Sequence, residues 1–277
     1  MILWMDGQFI EEEQDIKISP FDHGYLYGLN FFKTFRTYKG KVVLFQEHYG
    51  RLISTLNEYR IKMPYTIREL MEIIKEMTNK ANGRDGKILL NISAGNQNKT
   101  LQFQSKYSEP NVIIFYESLE ERKRGLVKSG RWLKTKKDPA KYNNKYLGSL
   151  EIDNIEEVEG FFTTPKGYIT DGLHSNIFWV KDQILYTPDS ILGIEEGVIR
   201  QWVIQTAKIL GYRVIEGVFF PKELETAFEC FITNSVDEIV PISNIGRAKF
   251  LGENGPLYQQ LHQAYIDEIL KTIREAI

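Results

Sequence analysis

Lysine is the residue type that this sequence offers most readily for covalent chemistry. Four histidines, at 23, 48, 174 and 262, are too scattered along the chain to predict a metal site. No Gly-x-Ser-x-Gly elbow, Gly-x-Gly-x-x-Gly fingerprint or P-loop occurs, so serine hydrolysis, dinucleotide binding and phosphoryl transfer find little support. A neutral lysine amine can attack a carbonyl carbon, and this mechanism stays open. Composition alone does not single out one lysine.

The composition excludes several classes of partner. The chain has 277 residues, a net charge of −2 and 42% hydrophobic residues, enough for one large domain or two medium ones. The balanced charge gives no electrostatic footprint for nucleic acid. The single cysteine, Cys230, excludes an intrachain disulfide, and no apolar run is long enough to span a membrane. The acidic N-terminal segment does not resemble a signal peptide, so we expect a cytoplasmic, enzyme-sized protein with no metal site.

Patterns in the first 118 residues predict mixed strands and helices. Asp6-Gly7 is a turn signal between short apolar runs, and Lys39-Gly40-Lys41 is another, so each predicts a hairpin. Thr66 and Glu69 fit a capping box that begins a helix. The expected elements are strands at 2–4, 9–10, 33–38, 42–45, 87–93 and 111–116, and helices at 46–59 and from 66 on.

A change in composition marks the predicted domain boundary. Six of the nine residues from Glu117 to Gly125 are charged, which is typical of an exposed linker. We therefore predict an N-terminal domain over 1–118, a linker over 119–130 and a C-terminal domain over 131–277. The second half has strands predicted at 161–164, 168–170, 176–180 and 184–186, and helices at 198–210 and from Pro256 on. The predicted fold class is α+β with two domains.

Five short motifs follow one another over nearly the whole chain. They are Ser-Pro-Phe-Asp-His-Gly (19–24), His-Tyr-Gly-Arg-Leu (48–52), Lys-Tyr-Asn-Asn-Lys-Tyr-Leu (141–147), Ile-Thr-Asp-Gly (169–172) and Phe-Ile-Thr-Asn-Ser (231–235). Their order and spacing resemble the class IV aminotransferase family, the pyridoxal phosphate enzymes of fold type IV. The resemblance implies the two-domain fold of the D-amino-acid aminotransferases, pyridoxal 5'-phosphate as cofactor, a small-molecule substrate and a homodimer.

Two stretches within the family pattern bear on the reaction. Residues 90–95 with 110–113, and residues 233–241, are more similar to the family's aminodeoxychorismate lyases than to its transaminases. This resemblance implies a lyase of folate biosynthesis that releases pyruvate and 4-aminobenzoate from 4-amino-4-deoxychorismate. A D-amino-acid or branched-chain amino-acid aminotransferase is the alternative, and a non-catalytic relative is a third.

The resemblance implies that Lys141 is the Schiff-base lysine, with Lys145, one helical turn on, as its rival. The lysine must be buried enough to favour the neutral amine, because an ammonium ion cannot attack an aldehyde. The same amine would then move the proton of the amine-bearing carbon. Without the flanking motifs, both residues read as surface lysines beside Lys134, Lys136 and Lys137.

The resemblance also implies two charged contacts with the cofactor. Asp171 would hold the proton of the pyridinium nitrogen, where the family usually has the longer glutamate. Arg51 would bind the phosphate, because a guanidinium offers paired donors to a dianion. From local sequence alone, Asp171 belongs to an Asp-Gly turn and Arg51 to an ordinary helix surface.

Uncharged groups complete the implied cofactor site. Gly197, Val198 and Ile199 would present backbone amides to the phosphate at a helix N-terminus, although the family usually has threonine where Ile199 stands. Asn234 and Ser235 fall where the family has polar side chains that face phosphate or substrate; otherwise they form a turn after a strand.

Two further lysines stand out against the family pattern. Lys33 replaces the glutamate of the family's Phe-Glu-Thr, which inverts a charge in a segment that the family places near the active site or the dimer interface. Lys99 lies where some lyases of the family carry a cation, and could meet a substrate carboxylate, although a loop lysine is usually solvated.

Overall fold

A computed structural model describes residues 1–96, 99–119, 126–138 and 144–274 of the chain. Contacts between Cα atoms divide the chain into two compact units. The N-terminal unit comprises Met1–Arg122 together with Glu268–Ile277, and the C-terminal unit comprises Lys123–Asp267. The fold is mixed α+β, as the sequence predicts.

The N-terminal unit is built on one antiparallel sheet with two long helices. Its described strands form one sheet in the order β2-β1-β6-β5-β3-β4. The strands are β1 (Ile2–Met5), β2 (Gln8–Ile10), β3 (Asn30–Tyr38), β4 (Lys41–Val42), β5 (Gly86–Ser93) and β6 (Asn111–Ser118), and the helices are α1 (His23–Tyr27), α2 (Phe45–Glu58) and α3 (Ile67–Lys80).

Local signals account for these boundaries. The β1–β2 hairpin turns at Asp6 and Gly7, where both residues have positive φ, as the Asp-Gly signal predicts. Helix α3 begins with the predicted capping box: the Thr66 hydroxyl accepts the Glu69 amide, and the Glu69 carboxylate accepts the Thr66 amide. Alternate residues of β5 are buried, and this face packs with the apolar stripes of α2 and α3 in one core.

Short helix α1 is fixed by a buried carboxylate. Asp22 caps the helix by accepting the Gly24 amide at 2.6 Å, and its side chain also accepts from Ser93 and Asn111 on two strands. Gly24 is required here because an added Cβ would overlap the Ser93 hydroxyl. The segment from Asp22 to Tyr27 is therefore anchored to the sheet by hydrogen bonds rather than by its own length.

The C-terminal unit has a larger sheet with helices around it. Its described strands run in the order β12-β11-β10-β13-β14-β7-β8-β9, and β15 pairs with β14. The strands are β7 (Lys128–Trp132), β8 (Val158–Thr163), β9 (Ile169–Gly172), β10 (Asn176–Lys181), β11 (Ile184–Pro188), β12 (Arg213–Gly217), β13 (Glu229–Asn234), β14 (Glu238–Ile245) and β15 (Ala248–Lys249), and the helices are α4 (Asn144–Ser149), α5 (Val198–Ile209), α6 (Pro221–Leu224) and α7 (Pro256–Arg274).

Some boundaries differ from those that the sequence predicts. Part of the predicted linker, residues 120–125, lies outside the described residues, and Lys128–Gly130 at its other end belong to strand β7. Helix α7 begins at Pro256 as predicted, but its residues from Glu268 on group with the N-terminal unit. Charge density marks an exposed segment, but it does not show which strand pairs with which.

Candidate active site

Asp171 is the most deeply placed of the predicted site residues. It lies in β9 with 2% of its surface exposed, so the alternative reading of an Asp-Gly turn is wrong. Its Oδ2 accepts from the Lys137 ammonium and from the Glu195 amide, the latter at 3.2 Å. Its Oδ1 is buried and has no hydrogen-bond partner among the described residues. A buried carboxylate oxygen without a donor is costly, and it suits a cationic N–H group.

Lys137 is the residue that the sequence reading overlooked. The sequence groups it with surface lysines, yet only 17% of its side chain is exposed, and its ammonium contacts Asp171. Its backbone amide donates to the Thr163 carbonyl at 3.0 Å, which ties it to the end of β8. No local pattern separates Lys137 from Lys136 beside it, whose ammonium donates to the Thr163 hydroxyl at 2.8 Å. Only the strand pairing brings Lys137 to Asp171.

Of the two lysines that the sequence suggests for the Schiff base, Lys141 and Lys145, the structure describes only Lys145. Lys141 lies outside the described residues, so its assignment stays a prediction. Lys145 lies in α4 with 44% of its side chain exposed, and its ammonium is 2.9 Å from the Glu195 carboxylate. Burial opposes the Lys145 charge, but Glu195 and other carboxylates outweigh it and raise the lysine pKa. A lysine held in its charged form is poorly suited to attack a carbonyl carbon.

Gly197, Val198 and Ile199 form the start of α5. Gly197 precedes the helix in an extended conformation, and no side chain caps it. The Val198 and Ile199 side chains are buried, while their amides have no acceptor among the described residues. A Cβ at Gly197 would lie 2.5 Å from Asn176 Oδ1, so only glycine fits. The open amides of a twelve-residue helix suit an anion.

Two neighbouring carboxylates bear on this anion site. Glu195 and Glu196 come just before Gly197 in the sequence, so their negative charges would be unfavourable near a phosphate. The Glu195 carboxylate is bound by Lys145, and its carbonyl accepts from the Asn176 amide at 2.6 Å. Part of the acidic charge before α5 is therefore neutralised locally.

The polar side chains at the end of β13 differ in whether they have hydrogen-bond partners. Asn234 Oδ1 accepts from the Val236 and Asp237 amides at 2.8 and 2.7 Å, so that oxygen supports a turn after the strand. Ser235 is half-buried. The Thr233 hydroxyl is buried with no partner among the described residues. Thr233 lies opposite Asn176 in the sheet, and directly opposed residues share a face.

Arg51 lies in the N-terminal unit, half-buried on helix α2. One turn before it, His48 is 4% exposed and packs its ring 5.7 Å from that of Phe35. Burial, followed by the positive charges of Lys33 and Arg51, lowers the pKa of His48 from 6.5 to about 4. The histidine is therefore neutral at pH 7, and two cations share its surroundings.

The loop after β5 is held by His23. The His23 ring is buried, with Nδ1 2.7 Å from the Tyr107 hydroxyl and Nε2 2.9 Å from the Thr100 carbonyl. Lys99, next to Thr100, is exposed and has a positive φ of 49°. The structure therefore places Lys99 on a solvent-exposed turn whose neighbour is anchored.

The chain belongs to a known enzyme family. Residues 30–245 match the family described as Amino-transferase class IV, which covers most of the chain and both units. The protein is therefore an enzyme of the class IV aminotransferase family, whose members use pyridoxal phosphate and act on small molecules. The family resemblance inferred from the five motifs is confirmed.

Three similar proteins carry different names. The chain is 33% identical to an aminodeoxychorismate lyase of Bacillus subtilis, over 99% of this chain and 97% of that protein. It is 26% identical to a D-alanine aminotransferase of Listeria monocytogenes, over 96% of both chains. The solved structure of the Escherichia coli branched-chain amino acid aminotransferase aligns with a TM-score of 0.80 at 26% identity, over 96% of this chain and 93% of that one.

The described residues suit the cofactor of this family. Asp171 Oδ1 lacks a donor, which the N–H of a pyridinium ring would supply, and the amides of Val198 and Ile199 lack an acceptor, which a phosphate would supply. Within the described ranges no three His, Cys, Asp or Glu side chains are grouped as metal ligands. No helix in the same ranges is long and apolar enough to cross a bilayer.

Proposed function

We propose that this enzyme is a pyridoxal phosphate-dependent 4-amino-4-deoxychorismate lyase that releases pyruvate and 4-aminobenzoate, a precursor in folate biosynthesis. The observation that carries the proposal is the 33% identity with an aminodeoxychorismate lyase over nearly the full length of both chains. The identity to the aminotransferases is lower, at 26–31%. The lyase motifs at 90–95 and 233–241 favour the same conclusion.

The residues that match the family pattern are the proposed contacts of the cofactor. In the C-terminal unit, Asp171 would accept the proton of the ring nitrogen, and the amides of Val198 and Ile199 after Gly197 would bind the phosphate. Asn234 and Ser235 are further candidates for polar contacts. In the N-terminal unit, Arg51 would bind the phosphate; its positive charge is felt at His48. The side chain of Ile199 contributes no hydroxyl, so the amides must serve alone.

The bound cofactor supplies an electron-withdrawing ring that stabilises negative charge on the carbon next to the substrate amine. The protein's part is to manage protons. Asp171, which is buried, would hold a proton at the ring nitrogen. A lysine amine takes the proton from the amine-bearing carbon of the substrate. The bond from the ring to the enolpyruvyl oxygen would then break and the product ring would become aromatic. The three-carbon fragment leaves as enolpyruvate, whose methylene carbon takes up a proton to give pyruvate.

The lysine of this step has two candidates. Lys141 follows from the resemblance to the family motif. Lys137 is not a candidate, because its ammonium is paired with Asp171, the carboxylate that would face the ring nitrogen. Lys145, whose ammonium is paired with Glu195, is the weaker candidate.

Borohydride reduction of the protein with bound cofactor separates these candidates. Reduction fixes the cofactor to its lysine, and mass mapping of the peptides identifies that residue. Modification of Lys141 supports the motif assignment, modification of Lys145 supports its rival, and modification of neither contradicts both. The variant of the modified lysine to alanine should lose the visible absorbance band of bound cofactor, while the other lysine variants keep it.

The activity is tested by supplying aminodeoxychorismate without a keto-acid acceptor. Equal amounts of pyruvate and 4-aminobenzoate are expected. An aminotransferase would instead convert its cofactor to the amine form with D-alanine or a branched-chain amino acid, and it would need a keto acid to turn over. A non-catalytic relative would do neither. By the same resemblance we propose a homodimer, which analytical ultracentrifugation would test.

A further inference from the structure

Thr233 carries a buried hydroxyl without a hydrogen bond. The residue is 1% exposed, and its Oγ1 has no partner among the described residues. Two other buried threonines of the same unit do have partners. The Thr170 hydroxyl donates to the Phe162 carbonyl at 3.1 Å, and the Thr187 hydroxyl donates to the Ile177 carbonyl at 2.9 Å. A buried hydroxyl without a partner raises the free energy of the folded state, and a ligand that accepts a hydrogen bond from it would remove that cost.

The register of β10 and β13 fixes the sheet face on which Thr233 lies. Thr233 is directly opposite Asn176, and the next pair along the strands is Ile177 with Ile232. Ile177 and Ile232 belong to a hydrophobic core cluster on one face of the sheet. Because successive side chains of a strand point to opposite faces, Asn176 and Thr233 lie together on the other face, with their Cβ atoms about 4.5–5.5 Å apart.

Asn176 connects this face with the start of α5. Its Nδ2 donates to the Glu195 carbonyl at 2.6 Å, and a Cβ added to Gly197 would lie 2.5 Å from its Oδ1. The Asn176 side chain is therefore packed against the residues that lead into the helix, whose first amides have no acceptor among the described residues. Thr233 is the neighbour of Asn176 on the adjacent strand, which puts its hydroxyl beside this helix N-terminus.

The same series of hydrogen bonds extends to Asp171. The Glu195 amide donates to Asp171 Oδ2 at 3.2 Å, while the Glu195 carbonyl accepts from Asn176. The Asp171 oxygen without a donor, the open amides and the Thr233 hydroxyl therefore lie in one connected part of the C-terminal unit. The carboxylate oxygen can only accept a hydrogen bond, whereas the amides and the hydroxyl can donate, so the two kinds of group suit different ends of one ligand.

We propose that the Thr233 hydroxyl donates a hydrogen bond to the phosphate group that the amides at the start of α5 bind. The inference rests on the proposed function, in which the amides of Val198 and Ile199 contact the cofactor phosphate. A phosphate oxygen is a charged acceptor, and hydrogen bonds to charged acceptors are among the stronger ones. The family usually has threonine where Ile199 stands, so a hydroxyl from β13 takes the place of one from α5.

The test compares two ligands that differ only in the phosphate. Apo-protein is titrated with pyridoxal 5'-phosphate and with pyridoxal, for the wild type, Thr233→Val and Thr233→Ser. The affinity for the phosphorylated ligand should fall about tenfold in Thr233→Val, because valine keeps the branched shape and removes the donor. Thr233→Ser keeps the hydroxyl and should bind nearly as tightly as the wild type. The affinity for pyridoxal should stay unchanged in both variants.

Thr187→Val is the matched control. Thr187 is fully buried in β11 of the same unit, and its hydroxyl already has the Ile177 carbonyl as acceptor. This variant should keep the ratio between the affinities for the two ligands at its wild-type value. A fall in that ratio as large as the one in Thr233→Val would show that any buried threonine has this effect, and would overturn the proposal.

Thermal unfolding of the apo-protein distinguishes a ligand contact from a structural role. Thr233→Val should raise the unfolding midpoint while the cofactor affinity falls, because the variant removes a buried hydroxyl without a partner. Thr187→Val should lower the midpoint, since a hydrogen bond within the protein is lost. A lower midpoint in Thr233→Val as well would show that this hydroxyl bonds to the protein itself, which contradicts the proposal.

The binding results also separate this inference from the proposed function. If the wild type binds the cofactor and Thr233→Val binds it equally well, the hydroxyl contact is excluded and the proposed function stands. An equal loss for pyridoxal and its phosphate also excludes the contact. A wild type that binds no pyridoxal phosphate overturns the proposed function together with this inference.

Discussion

The face of α2 around His48 and the part of β9 around Asp171 carry opposite charges: the first has cations, and the second has a buried carboxylate. In the first region two cations, Lys33 and Arg51, share the surroundings of a buried histidine that has given up its proton. In the second, the buried Asp171 carboxylate has the Lys137 ammonium as its partner. In the second region, one carboxylate oxygen has no donor among the described residues.

This difference matches the two ends of the family's cofactor. A phosphate dianion requires cations and open amides, whereas a ring nitrogen that carries a proton requires a carboxylate. The C-terminal unit contains both kinds of group, because Asp171 and the amides of Val198 and Ile199 lie in it. Variants that remove single charges test whether the two regions differ as described.

The largest effect is expected at Asp171. Asp171→Ala leaves the Lys137 ammonium mostly buried without its carboxylate, which should lower the free energy of unfolding by about 3–5 kcal/mol. Urea unfolding followed by circular dichroism measures it. The double variant Asp171→Ala/Lys137→Met, which removes both charges, should recover a large part of the loss. No recovery would mean that packing, and not the ion pair, explains the cost.

The next effect is the pH dependence that His48 contributes. Its pKa falls from 6.5 to about 4 on folding, so the unfolded chain binds more protons between these values. The contribution of the neutral His48 ring to the free energy of unfolding is fully present above pH 6.5. It is lost as the pH falls toward 4, by about 3 kcal/mol in total. His48→Gln should lack this part of the slope when unfolding is measured from pH 4 to 7. An unchanged slope would contradict the buried neutral ring.

Glu159 should give a smaller pH dependence of the free energy of unfolding, with the opposite sign to that of His48. Burial raises its pKa above 4.5, although the Ser175 hydroxyl at 2.8 Å, the charge of Lys128 and the His174 amide lower it, and Asp237 adds to the rise. The folded state therefore binds the proton more tightly, and stability falls as the pH rises from 4.5 through the raised pKa. The free energy of unfolding of Glu159→Gln, measured at pH 5 and pH 8, should increase relative to that of the wild type at the higher pH. A gain at pH 5 instead would reverse the assignment.

The smallest effect is expected for the exposed pair of Lys145 and Glu195. About half of each side chain is in solvent, at 44% and 59% exposure, so Glu195→Gln should change the free energy of unfolding by about 1 kcal/mol or less. High salt should reduce the difference further. A loss as large as that of Asp171→Ala would show that this pair is buried in solution.

Much of the fold was predictable because its signals are local. The turn at Asp6-Gly7, the capping box of Thr66 and Glu69, and the start of α7 at Pro256 all depend on residues within a few positions of one another. Strands β8 to β11 followed from apolar runs between turn residues in the same way. The order of strands in each sheet joins residues far apart in the sequence, and no local signal encodes it.

The site was predictable in part. Asp171 and the start of α5 came from family motifs, and the structure adds that the carboxylate is buried and the amides are open. The predicted lysine, Lys141, lies outside the described residues. The pairing of Lys137 with Asp171 was not predictable from the sequence. Lys137 lies 34 positions before Asp171, and no local pattern distinguishes it from the neighbouring lysines.

The sequence by itself determined the family, the cofactor that the family uses and most of the helices and strands. These depend on residue types at fixed spacings, which the chain carries whether folded or not. The pairing of distant strands determines that Lys137 meets Asp171, and the packing of α2 on the sheet determines that the charges of Lys33 and Arg51 both act on His48. Whether a lysine is a solvated surface group or a buried partner depends on the strand that lies beside it, and that neighbour comes from the pairing of distant segments.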